Sequence, residues 1–270
     1  MRIREWTAGG LLLLAQALCA GTIRLETAVL THVGGDEAAL LVVVRNSGDE
    51  PAHGIAVEGR LGGQAAAAPA PDLPPGSSAE VELIFPAESP ALGTHVAELR
   101  VRYRDRNGYP FSTVSVGSVT FGPAPAPPPV KAFLTPATIR EQGRLQVRLR
   151  IEAGGEPRTV RVRVLLPDDL GCDSPDRAVT VFPGRPTTVE AAVSNRTGRA
   201  GSVYPVFAVI REEAPDGGVR EQAIRGAVTL AGPGAGRFPW GGAGLAGAAL
   251  LTLVFVILQA GRKKEGPDAA

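Results

Sequence analysis

Apolar and polar residues alternate with a period of two along most of this chain, which places successive side chains on opposite faces of a strand. In the first half the alternation predicts strands over Ala39 to Val44, Ile55 to Leu61, Ala79 to Phe85, His95 to Tyr103 and Ser112 to Phe121. In the second half it predicts Arg144 to Ile151, Thr159 to Leu165, Ala178 to Phe182, Thr187 to Val193, Val203 to Ile210 and Glu221 to Leu230. Short strands at regular spacing, with Gly, Pro and Asn between them, predict an all-β fold of sandwich type rather than βαβ units.

Two segments break the alternation by being almost wholly apolar. Residues 9–20 follow Arg2 and Arg4 and end in Ala15, Ala17, Cys19 and Ala20, the three-part layout of a secretory signal peptide over residues 1–20. Leu18 stands before Cys19, where a lipoprotein signal carries a small residue, so the ordinary signal reading is preferred. Residues 241–260 carry no charge and run into Arg262, Lys263 and Lys264. About 20 apolar residues match a membrane-spanning helix, and the basic cluster keeps residues 261–270 in the cytoplasm. The expectation is a single-pass protein whose ectodomain lies outside the cytoplasm, joined to its span through residues 232–240. Within the span, Ala243 with Gly247 and Gly244 with Ala248 put small residues four apart, which favours lateral pairing into a homodimer. A cleaved C-terminal sorting signal has a similar layout and remains the competing reading.

The proline run Gly122 to Pro129 divides the ectodomain, giving predicted domains at 21–122 and 131–231 with a Pro-rich linker at 123–130. The two halves share landmarks in one order. Ser47 to Pro51, Pro75-Gly76 and Gly93 in the first answer to Ala153 to Pro157, Pro183-Gly184 and Gly201 in the second. This order indicates a duplicated module. The stretches LLVVVRNSGDEPAHGIAV, LPPGSSAEVELIF and GTHVAELRVRY resemble bacterial and archaeal immunoglobulin-like modules of the CARDB type. VRVRVLLPDDL, VFPGRPTTVEAAV and GSVYPVFAVI resemble the related NEW3 type. The resemblance implies two tandem immunoglobulin-like β-sandwiches and, because its motifs are structural turns, nothing about chemistry.

Candidate chemistry is sparse. His32, His53 and His95 lack the spacing of a zinc site, and no nucleophile elbow, phosphate loop or dinucleotide fingerprint occurs. No catalytic residue and no cofactor are assigned. Asp168, Asp169, Asp173 and Asp176 form the most acidic stretch and are weak candidates for Ca²⁺, although Pro167 and Pro175 favour a solvated turn. Arg100, Arg102 and Arg104, Arg148 and Arg150, and Arg161 and Arg163 alternate along three strands, each set on one sheet face. A solvated face is the preferred reading, with acidic glycans or lipid headgroups as the alternative. Residues 21–122 carry 7 basic against 12 acidic residues and 130–231 carry 15 against 12, which is no nucleic-acid footprint. Tyr109 and Phe111 follow an Asn107-Gly108 turn and are candidates for partner contact or for closing the core. The expected function is a non-catalytic, membrane-anchored display or interaction protein acting as spacer, adhesion unit or accessory subunit, with an extracytoplasmic or membrane protein as partner. The alternative is a ligand- or glycan-binding accessory to a membrane transporter or enzyme.

Overall fold

Strand pairing follows one scheme twice in the computed structural model, which describes residues 22–34, 37–86, 91–123, 129–151, 155–213 and 217–232. The first half contains β1 (Leu25–Gly34), β2 (Glu37–Asn46), β3 (His53–Leu61), β4 (Gln64–Pro69), β5 (Ser78–Pro86), β6 (Gly93–Arg104) and β7 (Pro110–Phe121). The second contains β8 (Val130–Thr135), β9 (Ala137–Ile139), β10 (Gln142–Ile151), β11 (Arg158–Leu165), β12 (Leu170–Cys172), β13 (Asp176–Val181), β14 (Thr187–Asn195), β15 (Val203–Glu213) and β16 (Val219–Leu230). In the first half β2 pairs with β1 and β5, while β3 pairs with β4 and β6, and β6 with β7. In the second, β10 pairs with β8 and β14, β11 with β13 and β15, and β15 with β16. The described residues are therefore all-β, in several sheets.

Each half has its own apolar core, built from the inward residues of two facing sheets. The first core joins Leu40, Val42, Leu83 and Phe85 to Ile55, Val57, Leu99 and Val101. The second joins Leu145, Val147 and Leu149 to Val160, Val162, Val206 and Ile210. The landmark glycines work alike in both halves: Gly76 and Gly184 turn the chain before β5 and β14 at φ 77° and 69°. Only glycine takes that conformation without strain.

Two features separate the halves. β3 and β4 are joined by the two residues Gly62 and Gly63, whereas β11 and β13 are joined by the ten residues 166–175, which include β12. Through β12 that longer connection adds a strand beside β14. The halves are also joined to each other, because β16 runs parallel to the start of β6 with Val219 opposite Gly93 and Arg220 opposite Thr94. Val219 N–H donates to the carbonyl of Leu92 at 2.8 Å. One sheet of nine strands thus spans both halves, and the chain through Leu230 forms one compact unit.

The predicted signal peptide, most of the proline run and the 241–260 span with Ala243, Gly244, Gly247 and Ala248 lie outside the described residues. Among the described residues no helix is long and apolar enough to cross a membrane.

Candidate functional site

The charged residues that stand out in the sequence meet at the joint between the two halves. On β6 the core-facing positions Ala97, Leu99, Val101 and Tyr103 alternate with Val96, Glu98, Arg100 and Arg102, which face the second half. Arg100 Nη1 and Arg102 Nε each lie 2.8 Å from the Asp168 carboxylate. Arg100 Nη2 also donates to the Leu166 carbonyl at 3.1 Å, and Arg102 bonds Glu58 on β3. The expectation of a solvated arginine face is therefore corrected for Arg100 and Arg102, whose partner is the acidic stretch of the other half. The 166–175 connection is long enough to reach β6, and its two prolines fix where it turns.

Beside this pair the chain buries Asp169. Its carboxylate accepts from the Ser112 N–H at 3.3 Å and from Thr197 Oγ1 at 3.4 Å, while Ser112 Oγ accepts from the Asp168 N–H at 2.6 Å. Burial raises the Asp169 carboxyl above the usual carboxylate range, a shift that these hydrogen bonds oppose. The neighbouring Tyr103 hydroxyl is pushed up strongly, first by burial and then by the Asp169 charge.

The third clasp fills a gap in the ladder. On the edge of β6 away from β7, β3 leaves at the Arg60–Glu98 pair and β16 joins only at Thr94, so no strand on that edge reaches the Val96 N–H. The Glu221 carboxylate accepts it at 2.7 Å and lies 3.4 Å from Arg211 Nη1. Next to it Glu98 faces Arg163 at 2.5 Å. Burial raises the Glu98 carboxyl, Arg163 and Arg60 lower it, and the like charge of Glu221 raises it again. A cleft of about 430 Å³ opens here, lined among others by Arg60, Gly62, Glu98, Arg163, Arg211 and Glu221.

These shifts set a pH dependence. A carboxyl with a raised pKa binds its proton more tightly in the folded chain, so folding stability from that group falls as pH rises through the window between its ordinary and its raised value. Asp169→Asn is expected to flatten the decline just above pH 3.8, the ordinary Asp value. Urea unfolding of wild type and variant at successive pH values checks this; parallel curves would count against it.

The remaining candidates separate. Asp173 and Asp176 do not join Asp168 and Asp169: Asp176 faces Arg161 at 3.8 Å. Among the described residues no group of three His, Cys, Asp or Glu side chains is placed to hold a metal ion. Phe111 stacks on Tyr103 with ring centroids 5.7 Å apart and packs on the first core, whereas Tyr109 stays 47% exposed. Of these two aromatics, Tyr109 remains on the surface for a partner. His53 bonds Asp72 at 2.8 Å, and His95 is buried with Nε2 on the Ala91 carbonyl at 2.8 Å. Cys172, half-buried on β12, has its thiol pKa raised, chiefly by burial, which disfavours the reactive thiolate. Maleimide labelling of the folded chain at pH 7 is expected to be slower than labelling in urea; equal rates would contradict the burial.

No known family profile matches the chain. A search of curated proteins likewise gives no match. Several solved structures align with the chain at low identity and low TM-score. The native alpha-2-macroglobulin of E. coli aligns at 14% identity and TM-score 0.30 over 76% of this chain and 17% of its own. A Porphyromonas gingivalis W83 protein of unknown function gives 15% and 0.27 over 75% of this chain and 98% of its own. Red sea bream transglutaminase gives 13% and 0.26 over 77% and 31%. The chain spans less than a fifth of the macroglobulin, and none of these likenesses carries an argument about activity.

Proposed function

We propose that this protein is a non-catalytic, membrane-tethered display or spacer protein: two tandem immunoglobulin-like β-sandwiches held outside the cytoplasm by a C-terminal helix. The observation that carries the reading is the joint. A tether made of independent beads needs only a linker, whereas here ion pairs, buried hydrogen bonds and a shared sheet hold two modules as one body, which suits presenting a surface at a set distance. The repeated pairing scheme and the turn motifs that resemble CARDB and NEW3 modules support the immunoglobulin-like assignment. The uncharged 241–260 segment and its basic flank support the anchor. A reporter fused after Ala270 is expected to be active only in the cytoplasm, and external protease is expected to remove the chain up to about Trp240. Protection of residues 22–232 from that protease in spheroplasts would sink the topology. Pull-down of the tagged full chain from detergent extract then tests for a protein partner, and recovery of none would remove the accessory-subunit reading.

A further inference from the structure

The outer face of the four-stranded sheet, in order β12, β14, β10 and β8, carries a group of residues that neither core nor joint uses. Phe133 on β8 is 62% exposed and stands opposite Arg148 on β10, while Lys131 stands opposite Arg150. Residues opposite each other in an antiparallel pair share a face. Arg148 and Arg150 have neither an ion pair nor a side-chain hydrogen bond among the described residues, unlike Arg144 on the same strand, which bonds Glu190 at 2.6 Å. A second exposed aromatic lies in the turn that follows β13. The turn Phe182 to Arg185 docks on the end of β10, with Gly184 N–H donating to the Ile151 carbonyl at 3.1 Å, and Phe182 is 54% exposed.

Two exposed rings and two arginines without partners among the described residues are hard to explain by folding. Each ring leaves apolar area in water that a polar residue would not, and the arginines repel one another across two residues of strand, about 6.8 Å. We propose that this face binds an acidic polysaccharide, with Arg148 and Arg150 holding carboxylates and Phe133 stacking against the apolar face of a sugar ring. The guanidinium is a planar fork that matches a carboxylate in two parallel hydrogen bonds. A flat aromatic ring supplies a platform, and a strand repeat sets the charges in a row along which a polymer lies. A lipid surface fits less well, because Phe133 sits mid-strand between polar neighbours and cannot reach the acyl region without carrying Arg148 and Thr135 with it. The site is independent of the tethering reading, since it lies wholly within the second half and needs no membrane.

The test uses the full chain in phosphatidylcholine nanodiscs and immobilised polygalacturonate, read by interferometry at low and raised salt. Wild type is expected to bind at low salt and to weaken as salt screens the charges, and neutral pullulan is expected not to bind. Phe133→Ala is expected to weaken binding by about tenfold, the scale of one aromatic contact, and the double variant Arg148→Gln/Arg150→Gln to abolish it. Both variants change exposed side chains, so unchanged melting curves are expected to accompany them. No binding of polygalacturonate would overturn the proposal. So would an unaltered Phe133→Ala, equal capture by polyglutamate, or phosphatidylglycerol vesicles that bind this face while polygalacturonate fails to compete.

Discussion

Gly93→Ala is expected to lower the melting temperature of the folded part by about 10 °C, whereas Gly201→Ala, its counterpart in the second half, is expected to cost only about a third as much. Gly93 has φ 122°, and a Cβ placed there would lie 2.0 Å from the Val219 carbonyl oxygen. The new methyl meets backbone on the partner strand, so β16 must separate from β6 and the Val219 to Leu92 hydrogen bond is lost with it. Strain and clash together cost about 3 kcal/mol. Gly201 has φ 85° but nothing within 4 Å of its added Cβ, which leaves only the left-handed penalty of about 1 kcal/mol. Thermal melts of both variants beside wild type make the comparison. Equal losses would mean that Gly93 is needed for its dihedral alone and that the contact with Val219 contributes nothing.

The second large effect is expected at Glu221. Replacing it by Ala leaves the buried Val96 N–H with no acceptor and Arg211 with no carboxylate, a loss of about 2 kcal/mol. Gln keeps an amide oxygen that can accept from Val96, so Glu221→Gln is expected to recover much of the loss. Urea unfolding gives the ranking wild type, Gln, Ala. If Gln is as damaging as Ala, the charge opposite Arg211 matters and the ladder gap does not.

Eleven strands are legible in the sequence, most by alternation over at least five residues, whereas β2 and β15 show instead as short apolar runs of β-branched and aliphatic residues. The five that are not each lack that signal for a physical reason. β4 contains Ala65 to Ala68, which offer no contrast between faces and have weak strand preference. β1 carries Ala28, Val29 and Leu30 in succession, and β9 and β12 have three residues each. β8 breaks its alternation at Phe133, an apolar residue on the outer face, and follows the proline run. The joint was legible only in parts. Arg102 and Asp168 are both conspicuous, but 66 residues separate them, and nothing in a local pattern says that one closes on the other. Glu221 gave no signal at all, since an acidic residue in an alternating strand reads as an outward-facing one. The gap in the ladder that makes it necessary exists only after two strands from different halves have met on one edge of β6.

Pro110 opens β7 as Val219 opens β16, both strands twelve residues long. Val219 uses its N–H to bond across the joint, and proline has none to give. The first half also has only Gly62 and Gly63 where the second has the loop that carries Asp168 and Asp169. A third module placed ahead of β1 would therefore find neither the donor nor the acidic clasp that welds the existing pair. The joint is thus directional: its backbone donor and its acidic clasp both come from the second half.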